Sequence, residues 1–333
     1  MKKRGRGIGC NLYGVGYGFS RPDHSAAFVE VADDATVIVR CGVCDIGQGS
    51  ETTMCMIAAE ELGVPYEDVR MIFADSDTTP DSLCTSASRQ TFVSGRAVQL
   101  AARDAKEWLL RYGAELLDCT MEELDVADGM VVSDKNPGVG MSFKDLALAA
   151  HNNGKRFMGF AWYDNTTKDV DKNCQGDAYA CYIFATQVAD VEVDTDTGDI
   201  TVLRVAAAHD VGRAINPMGI EQQIEGAILQ GMGYAVMEEV VLENGYTKTP
   251  AFSKYLIPTA MDAPEITTYI VESEEPNGPF GAKGVGEGAI IPTAPAIVNA
   301  VYNAIGIRFT SIPITPEKVL AALEEKRKAE TAK

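Results

Sequence analysis

The chain has 333 residues, with Lys plus Arg at 29 against Asp plus Glu at 48 and a formal net charge of −19. Such a field repels nucleic acid and anionic membranes, and no basic patch offsets it, which argues against nucleic-acid binding. No uninterrupted run of about 18 apolar residues offers a membrane span. The basic start Lys2-Lys-Arg4 leads into Gly-Ile-Gly-Cys-Asn rather than an apolar core, so a cytoplasmic protein without a signal peptide is expected.

From Arg4 to Phe19, glycines at 5, 7, 9, 14, 16 and 18 interleave with larger residues, which suits an extended segment packed closely by another backbone. Phe28–Val31 and Ala35–Cys44 read as strands around Asp33-Asp34. Ser50 is placed to cap a helix with Met54, Ile57, Ala58 and Leu62 on one face, stopped by Gly63 and Pro65. Val69–Phe73 is a short strand. A long helix is expected from about Val93 to Leu117, with Ala97, Ala101, Ala105 and Leu109 on one stripe. Thr120-Met-Glu-Glu123 has the pattern of a capping box, and Asp128-Gly129 that of a hairpin turn.

Between Asn152 and Gln175 the chain turns polar and loop-like, which marks a domain boundary. Tyr182–Val193 and Ile200–Ala208 then form an antiparallel hairpin pattern. A helix from about Pro217 to Met237 contains Gly226, Gly231 and Gly233, which imply close packing because propensity opposes them. Two more helices follow, from Pro295 to Ile305 and from Pro316 to Lys328.

Eight cysteines are scattered without the spacing of a four-ligand zinc site or an iron–sulfur cluster. A Gly-x-Gly-x-x-Gly fingerprint and a phosphate loop of the Walker type are both missing. Four polar segments carry the chemistry instead. Asp45-Ile-Gly-Gln-Gly49 precedes a helix and offers an anion-binding arrangement. Thr85-Ser-Ala-Ser-Arg-Gln-Thr91 offers hydroxyls and a guanidinium, and Gln222-Gln-Ile-Glu-Gly226 places amides at a helix start. Gly281-Ala-Lys-Gly-Val-Gly-Glu-Gly288 holds one carboxylate, Glu287, between glycines ahead of a helix, as a general base would be presented.

These segments, with Val191-Glu-Val-Asp194, His209-Asp-Val-Gly-Arg213 and Ala214-Ile-Asn-Pro217, run in one order over nearly the whole chain. Together they resemble the C-terminal half of the molybdenum-binding subunit in the xanthine dehydrogenase and aldehyde oxidase family. The resemblance implies an α+β fold of two elongated sandwich domains, with mixed or antiparallel sheets packed by helices. The domains would span 1–165 and 166–333, with residues 1–20 packing on the second. It further implies that Gly47, Gln48 and Gly49 line a molybdopterin cytosine dinucleotide, and that Gln223 does so too. The loop Ser86, Ala87, Ser88, Arg89, Gln90 and Thr91 and the loop Lys283, Gly284, Val285 and Gly286 would complete the lining. Molybdenum would hang from the pterin dithiolene with a sulfido or selenido ligand and no protein ligand, and Glu287 would be the base. Two positions depart from the family pattern: Gln222 stands where glycine is usual, and Gly288 where proline or serine is common.

The first half of the family's large subunit, with its glutamine-glycine-proline-phenylalanine loop, has no counterpart in this sequence. The expected arrangement is therefore a split subunit. A large molybdopterin subunit would supply the first half, and iron–sulfur and FAD subunits would pass electrons to NADP or NAD. The implied reaction is hydroxylation of a small heteroaromatic substrate with water as oxygen donor, nicotinate to 6-hydroxynicotinate above all. A purine or an aldehyde is the alternative within the family. Two readings of other classes stand beside it. One is a non-catalytic cofactor-binding subunit, which Glu287 argues against; the other is a nicotinamide-dependent dehydrogenase, disfavoured by the missing fingerprint.

Overall fold

In the computed structural model, which describes residues 1–133, 135–136 and 138–331, the alternating glycines of the N-terminus form a long strand, β1 (Lys2–Val15). Next come β2 (His24–Val31), β3 (Val37–Cys41), α1 (Ser50–Leu62), β4 (Val69–Phe73) and α2 (Gly95–Leu117). A single π-turn, Gln90–Ser94, leads into α2. The small strands β5 (Leu124–Ala127), β6 (Met130–Ser133) and β7 (Gly140–Ser142) lead through α3 (Phe143–Asn152) to β8 (Met158–Asp164). Then follow β9 (Cys181–Asp194), β10 (Ile200–Asp210), α4 (Pro217–Val236), β11 (Leu242–Glu243) and β12 (Tyr246–Thr247). The chain closes with β13 (Glu265–Val271), α5 (Thr293–Ile305) and α6 (Pro316–Thr331). Residues 332 and 333 of the expected second domain lie outside the described residues.

The fold is α+β, built on two four-stranded mixed sheets. One has the order β4-β3-β2-β8 and buries Val29, Val31, Val37 and Val39 against α1 and α2. The apolar stripe of α2 (Ala97, Ala101, Ala105 and Leu109) is completely buried there. The other sheet has the order β1-β9-β10-β13, so the N-terminal strand joins strands from the far half of the sequence. Its core is Ala189, Val191, Val205 and Ala207 against Ile224, Ile228, Ile297 and Val301 of α4 and α5.

The glycines of β1 explain how α5 lies on that sheet. A Cβ on Gly5, Gly7 or Gly9 would stand 2.2 Å from Ala300 O, 2.2 Å from Ala296 O and 2.1 Å from Pro292 O. Two strand residues rise about 6.6–6.8 Å and four helix residues about 6 Å, so glycines at every second strand position meet backbone at every fourth position of the helix and its start. Side chains there would push helix and strand apart. By length and composition Glu287–Ile305 could cross a membrane; here it is a turn and a core helix, with Ala296, Ile297, Ala300 and Val301 completely buried.

Several local expectations are corrected. Ser50 does not cap α1: Gly49 does, in the left-handed region at φ 78°, and Ser50 is the first helical residue. Thr120 makes no side-chain capping bond to its turn, and Glu123 accepts from Lys135 at 2.8 Å. The stretch expected to be loop holds β8, whose pattern is inverted: Gly159 and Ala161 face the helices while Met158, Phe160 and Trp162 are exposed. Only a glycine fits at 159, where a Cβ would stand 2.1 Å from Ala101 O. Gly231 and Gly233 are closely packed, against Thr293 and Glu238, but nothing lies within 4 Å of a Cβ on Gly226.

These contacts separate two alanine substitutions. Gly7→Ala forces a Cβ into α5 and is expected to cost about 2 kcal/mol or more, the range of overpacking. Gly226→Ala, in open space on α4, is expected to stabilise by about 0.5–1 kcal/mol. Denaturant midpoints of the two variants check this, and a Gly7→Ala midpoint at the wild-type value would contradict the packing account.

Candidate active site

The loop carrying Glu287 is clamped from behind before it reaches the site. After β13 the chain turns at Gly281 (φ 90°), and the Lys283 N–H donates to Val211 O at 2.9 Å beyond the end of β10. The Lys283 ammonium turns into the fold, 2.8 Å from Asp210 and 3.1 Å from Tyr182 O, in an ion pair whose side chains are 7% and 8% exposed. Gly284 then lies flat on the neighbouring loop, since a Cβ there would stand 1.9 Å from Ser88 O. Glu287–Ala289 form one 3-10 turn just ahead of α5.

The loop beneath it is strained. Ala87 and Ser88 both occupy the left-handed region, at φ 51° and 52°, a conformation that costs of order 1–3 kcal/mol for each non-glycine residue. The Gly16 N–H holds this turn by donating to Ala87 O at 2.8 Å. Arg89 is completely buried: its guanidinium donates to Asp23 and to Ser82 O, and to His24 O at 2.6 Å. Gln90 accepts from Ser94 at 2.6 Å and donates to Thr85 at 3.2 Å. The charge offered by Arg89 and the amide of Gln90 thus brace the loop from inside. Each cation, Arg89 and Lys283, is paired with a buried carboxylate, Asp23 and Asp210.

Glu287 receives two donors on one oxygen. Tyr13 OH donates to Oε2 at 2.8 Å and Ser88 Oγ at 3.1 Å, while the Glu287 N–H returns a bond to Ser88 Oγ at 2.9 Å. Burial, and then the bond to Glu287, push the Tyr13 phenol above its ordinary pKa, so it remains a donor. Asn11 Nδ2 donates to Gly288 O at 2.8 Å. Tyr13 and Asn11 come from β1 and escaped the sequence reading, where they stand among glycines with no local pattern. The glycines at 14 and 16 were the available hint, since a closely packed strand must press its remaining side chains against something.

Glu287 borders a cavity of about 350 Å³. Gln48, Ser86, Ser88, Gln90 and Thr91 line one side, and Gln223, Gly284, Val285 and Gly286 the other; Arg89 touches it as well. Gln230, Ile46 and Ile290 join them without having been foreseen. Lys283 borders an adjoining cavity of about 60 Å³, together with Gln48, Gln223 and Arg213. Gly47, Gly49 and Ala87 shape their loops rather than line either space. The Asp45–Gly49 loop is not an open anion site, because Asp45 itself accepts from the N–H groups of Gly47 and Glu51, at 2.8 and 3.3 Å. Burial raises the Asp45 pKa, but those backbone donors outweigh it and hold the carboxyl below its ordinary value. Gln48 is bonded within the same loop, to Ile46 N, Cys44 O and Ser50 Oγ.

The profile of the molybdopterin cofactor-binding domain matches residues 1–264. The chain is 32% identical over 321 residues to the xanthine dehydrogenase molybdenum-binding subunit of Escherichia coli O157:H7, covering 95% of this chain and 42% of that protein. It is 32% identical over 333 residues to the gamma subunit of the 6-hydroxypseudooxynicotine dehydrogenase complex of Paenarthrobacter nicotinovorans, covering 99% and 41%. Among solved structures, quinoline 2-oxidoreductase from Pseudomonas putida 86 superposes with a TM-score of 0.87 at 30% identity, over 97% of this chain and 42% of that one. This sequence therefore spans about two fifths of the length of the relatives it matches.

Behind the Glu287 turn, burial pushes the pKa of His209 down to about 4. Below pH 6.5 the unfolded chain binds a proton that the native chain refuses until about pH 4. Stability is therefore lost as pH falls through that window, by on the order of 3 kcal/mol at most from this group. Urea midpoints of wild type and His209→Gln from pH 7 to pH 4 check the sign: wild type should lose more stability than the variant. Parallel curves would contradict a buried neutral imidazole.

Proposed function

This chain belongs to the molybdopterin cofactor-binding domain family, and from that premise we propose that it forms one wall of a molybdenum hydroxylase active site with Glu287 as general base. The observation that carries the reading is the Glu287 carboxylate, fixed by Tyr13 and Ser88 at the edge of a cavity walled by hydroxyls, amides and glycine backbone.

The residues present fit a pterin dinucleotide. The cavity wall offers neutral hydrogen-bonding groups, and Gly286, where a Cβ would have nothing nearer than 3.8 Å, lets backbone approach closely. On the outer side Gly47 and Gly49 hold positive φ with nothing within 4 Å of a Cβ, which leaves room for a large ligand. Gln223 borders both spaces and is placed to meet a pterin or nucleotide edge, and Gln48, Ser86, Ser88 and Thr91 to meet the other side. Through Lys283 and Arg89 the chain shapes its loops; through Ser88, Gly284 and Gly286 it faces the ligand.

When bound, the molybdenum centre supplies the two-electron acceptor. The protein's part is the proton. With Oε2 occupied by two donors, Oε1 of Glu287 has no partner among the described residues and is the atom that accepts it. Water is the source of the incoming oxygen in this reading.

An N-heteroaromatic ring carbon is the substrate class, nicotinate first. Relatives named for xanthine and quinoline, both N-heteroaromatic, support the class. The reading includes a companion polypeptide equivalent to the relatives' remaining length, together with iron–sulfur and FAD subunits, and the cytosine form of the dinucleotide. The relatives' names as subunits of complexes support it.

Glu287→Gln keeps size and hydrogen-bonding capacity but removes the base. In the assembled enzyme, turnover is expected to fall at least about 10²-fold, with molybdenum content near wild type. Retained turnover at full molybdenum loading would assign the base elsewhere.

A further inference from the structure

Behind the Glu287 turn lies a set of buried polar groups that proton transfer itself does not use. Gln187 on β9 and Thr293 at the start of α5 are completely buried, and His209 on β10 is 2% exposed. The Gln187 carboxamide donates to Ala289 O at 2.8 Å, faces His209 Nε2 at 3.2 Å and accepts the Thr293 hydroxyl at 2.6 Å. A carboxamide has two N–H donors and one acceptor oxygen. One orientation satisfies all three neighbours, provided that His209 accepts at Nε2. The reversed amide would set its oxygen against the Ala289 carbonyl, two acceptors face to face.

The 3-10 turn at Glu287–Ala289 depends on such outside help. It has no side-chain cap, and its last two carbonyls are held by side chains from the sheet: Gly288 O by Asn11 and Ala289 O by Gln187. The first glycine contact of α5 sits on the same spot. Gly9 pairs with Gln187 across β1 and β9, and a Cβ on it would stand 2.1 Å from Pro292 O. Sheet, turn and helix start thus converge on one amide.

We propose that Gln187, oriented by His209 and Thr293, is a positioning residue for Glu287: by fixing the Ala289 carbonyl it sets the aim of the carboxylate two residues upstream. The inference rests on the reading of Glu287 as the base. A buried carbonyl deprived of its donor moves to find another, and a displacement of about 1 Å in a reacting group lowers turnover by up to about 10²-fold.

The test is Gln187→Leu in the assembled enzyme, with backbone hydrogen exchange over residues 286–291 read beside kcat, KM, molybdenum content and melting temperature. Faster exchange confined to that turn is expected, with kcat lowered about 10- to 100-fold and KM and molybdenum content near wild type. His209→Leu should act in the same direction, and His209→Gln, which restores an acceptor opposite the amide, should recover both exchange and turnover. This pair decides the matter should Gln187→Leu fail to fold. Unchanged exchange at the turn overturns the proposal, as does a loosened turn with wild-type kcat. Loss of cofactor and of melting temperature in step with kcat, with no rescue by His209→Gln, overturns it in favour of a purely structural role. Failure of the base reading is distinguishable, because turnover retained by Glu287→Gln removes that reading and leaves the exchange result standing.

Discussion

The contact between the glycines of β1 and the backbone of α5 is the constraint on which the site depends. Three glycines at two-residue spacing meet carbonyls at four-residue spacing along one face of the helix. The near match of the two rises lets the contact repeat three times without strain in either element. Because α5 follows Glu287 directly, bringing the helix onto the strand also brings the carboxylate beside Tyr13 and its turn beside Asn11, both on that strand. Asn11 and Tyr13, two of the residues that grip the turn, and the glycines that admit the helix belong to one 14-residue segment.

Charge is distributed in a related way. Arg89 and Lys283, in the loops on either side of the cavity, are each neutralised by a buried carboxylate, Asp23 and Asp210. Breaking such a pair strands one charge and costs about 3–5 kcal/mol, so each pair anchors its loop beside the cavity. Of the charged residues lining the larger cavity, pairing of Arg89 leaves Glu287 as the one without a counter-ion among the described residues.

Much of this was legible in the sequence because it is local. The Glu287 loop announced itself by glycines around one acid, β9 and β10 by alternation, and the tight packing of β1 by its glycine period. What was not legible depends on register between distant segments. Tyr13 meets Glu287 across 274 positions, and Gln187 meets Ala289 across 102; neither has a sequence signature, since an isolated Tyr or Gln on a strand reads as surface. The partners of Arg89 and Lys283 were equally hidden, since Asp23 and Asp210 lie 66 and 73 positions away. The strand β8 was hidden by inversion, its large side chains outward and its small ones beneath α2.

Whether the cavity beside Glu287 holds a pterin dinucleotide with molybdenum is decided by isolating the intact assembly that contains this chain, with metal analysis and mass spectrometry of the released nucleotide. Near-stoichiometric molybdenum with a pterin dinucleotide, cytosine being the expected base, is the result predicted. A folded assembly carrying a nicotinamide dinucleotide and no molybdenum would contradict it.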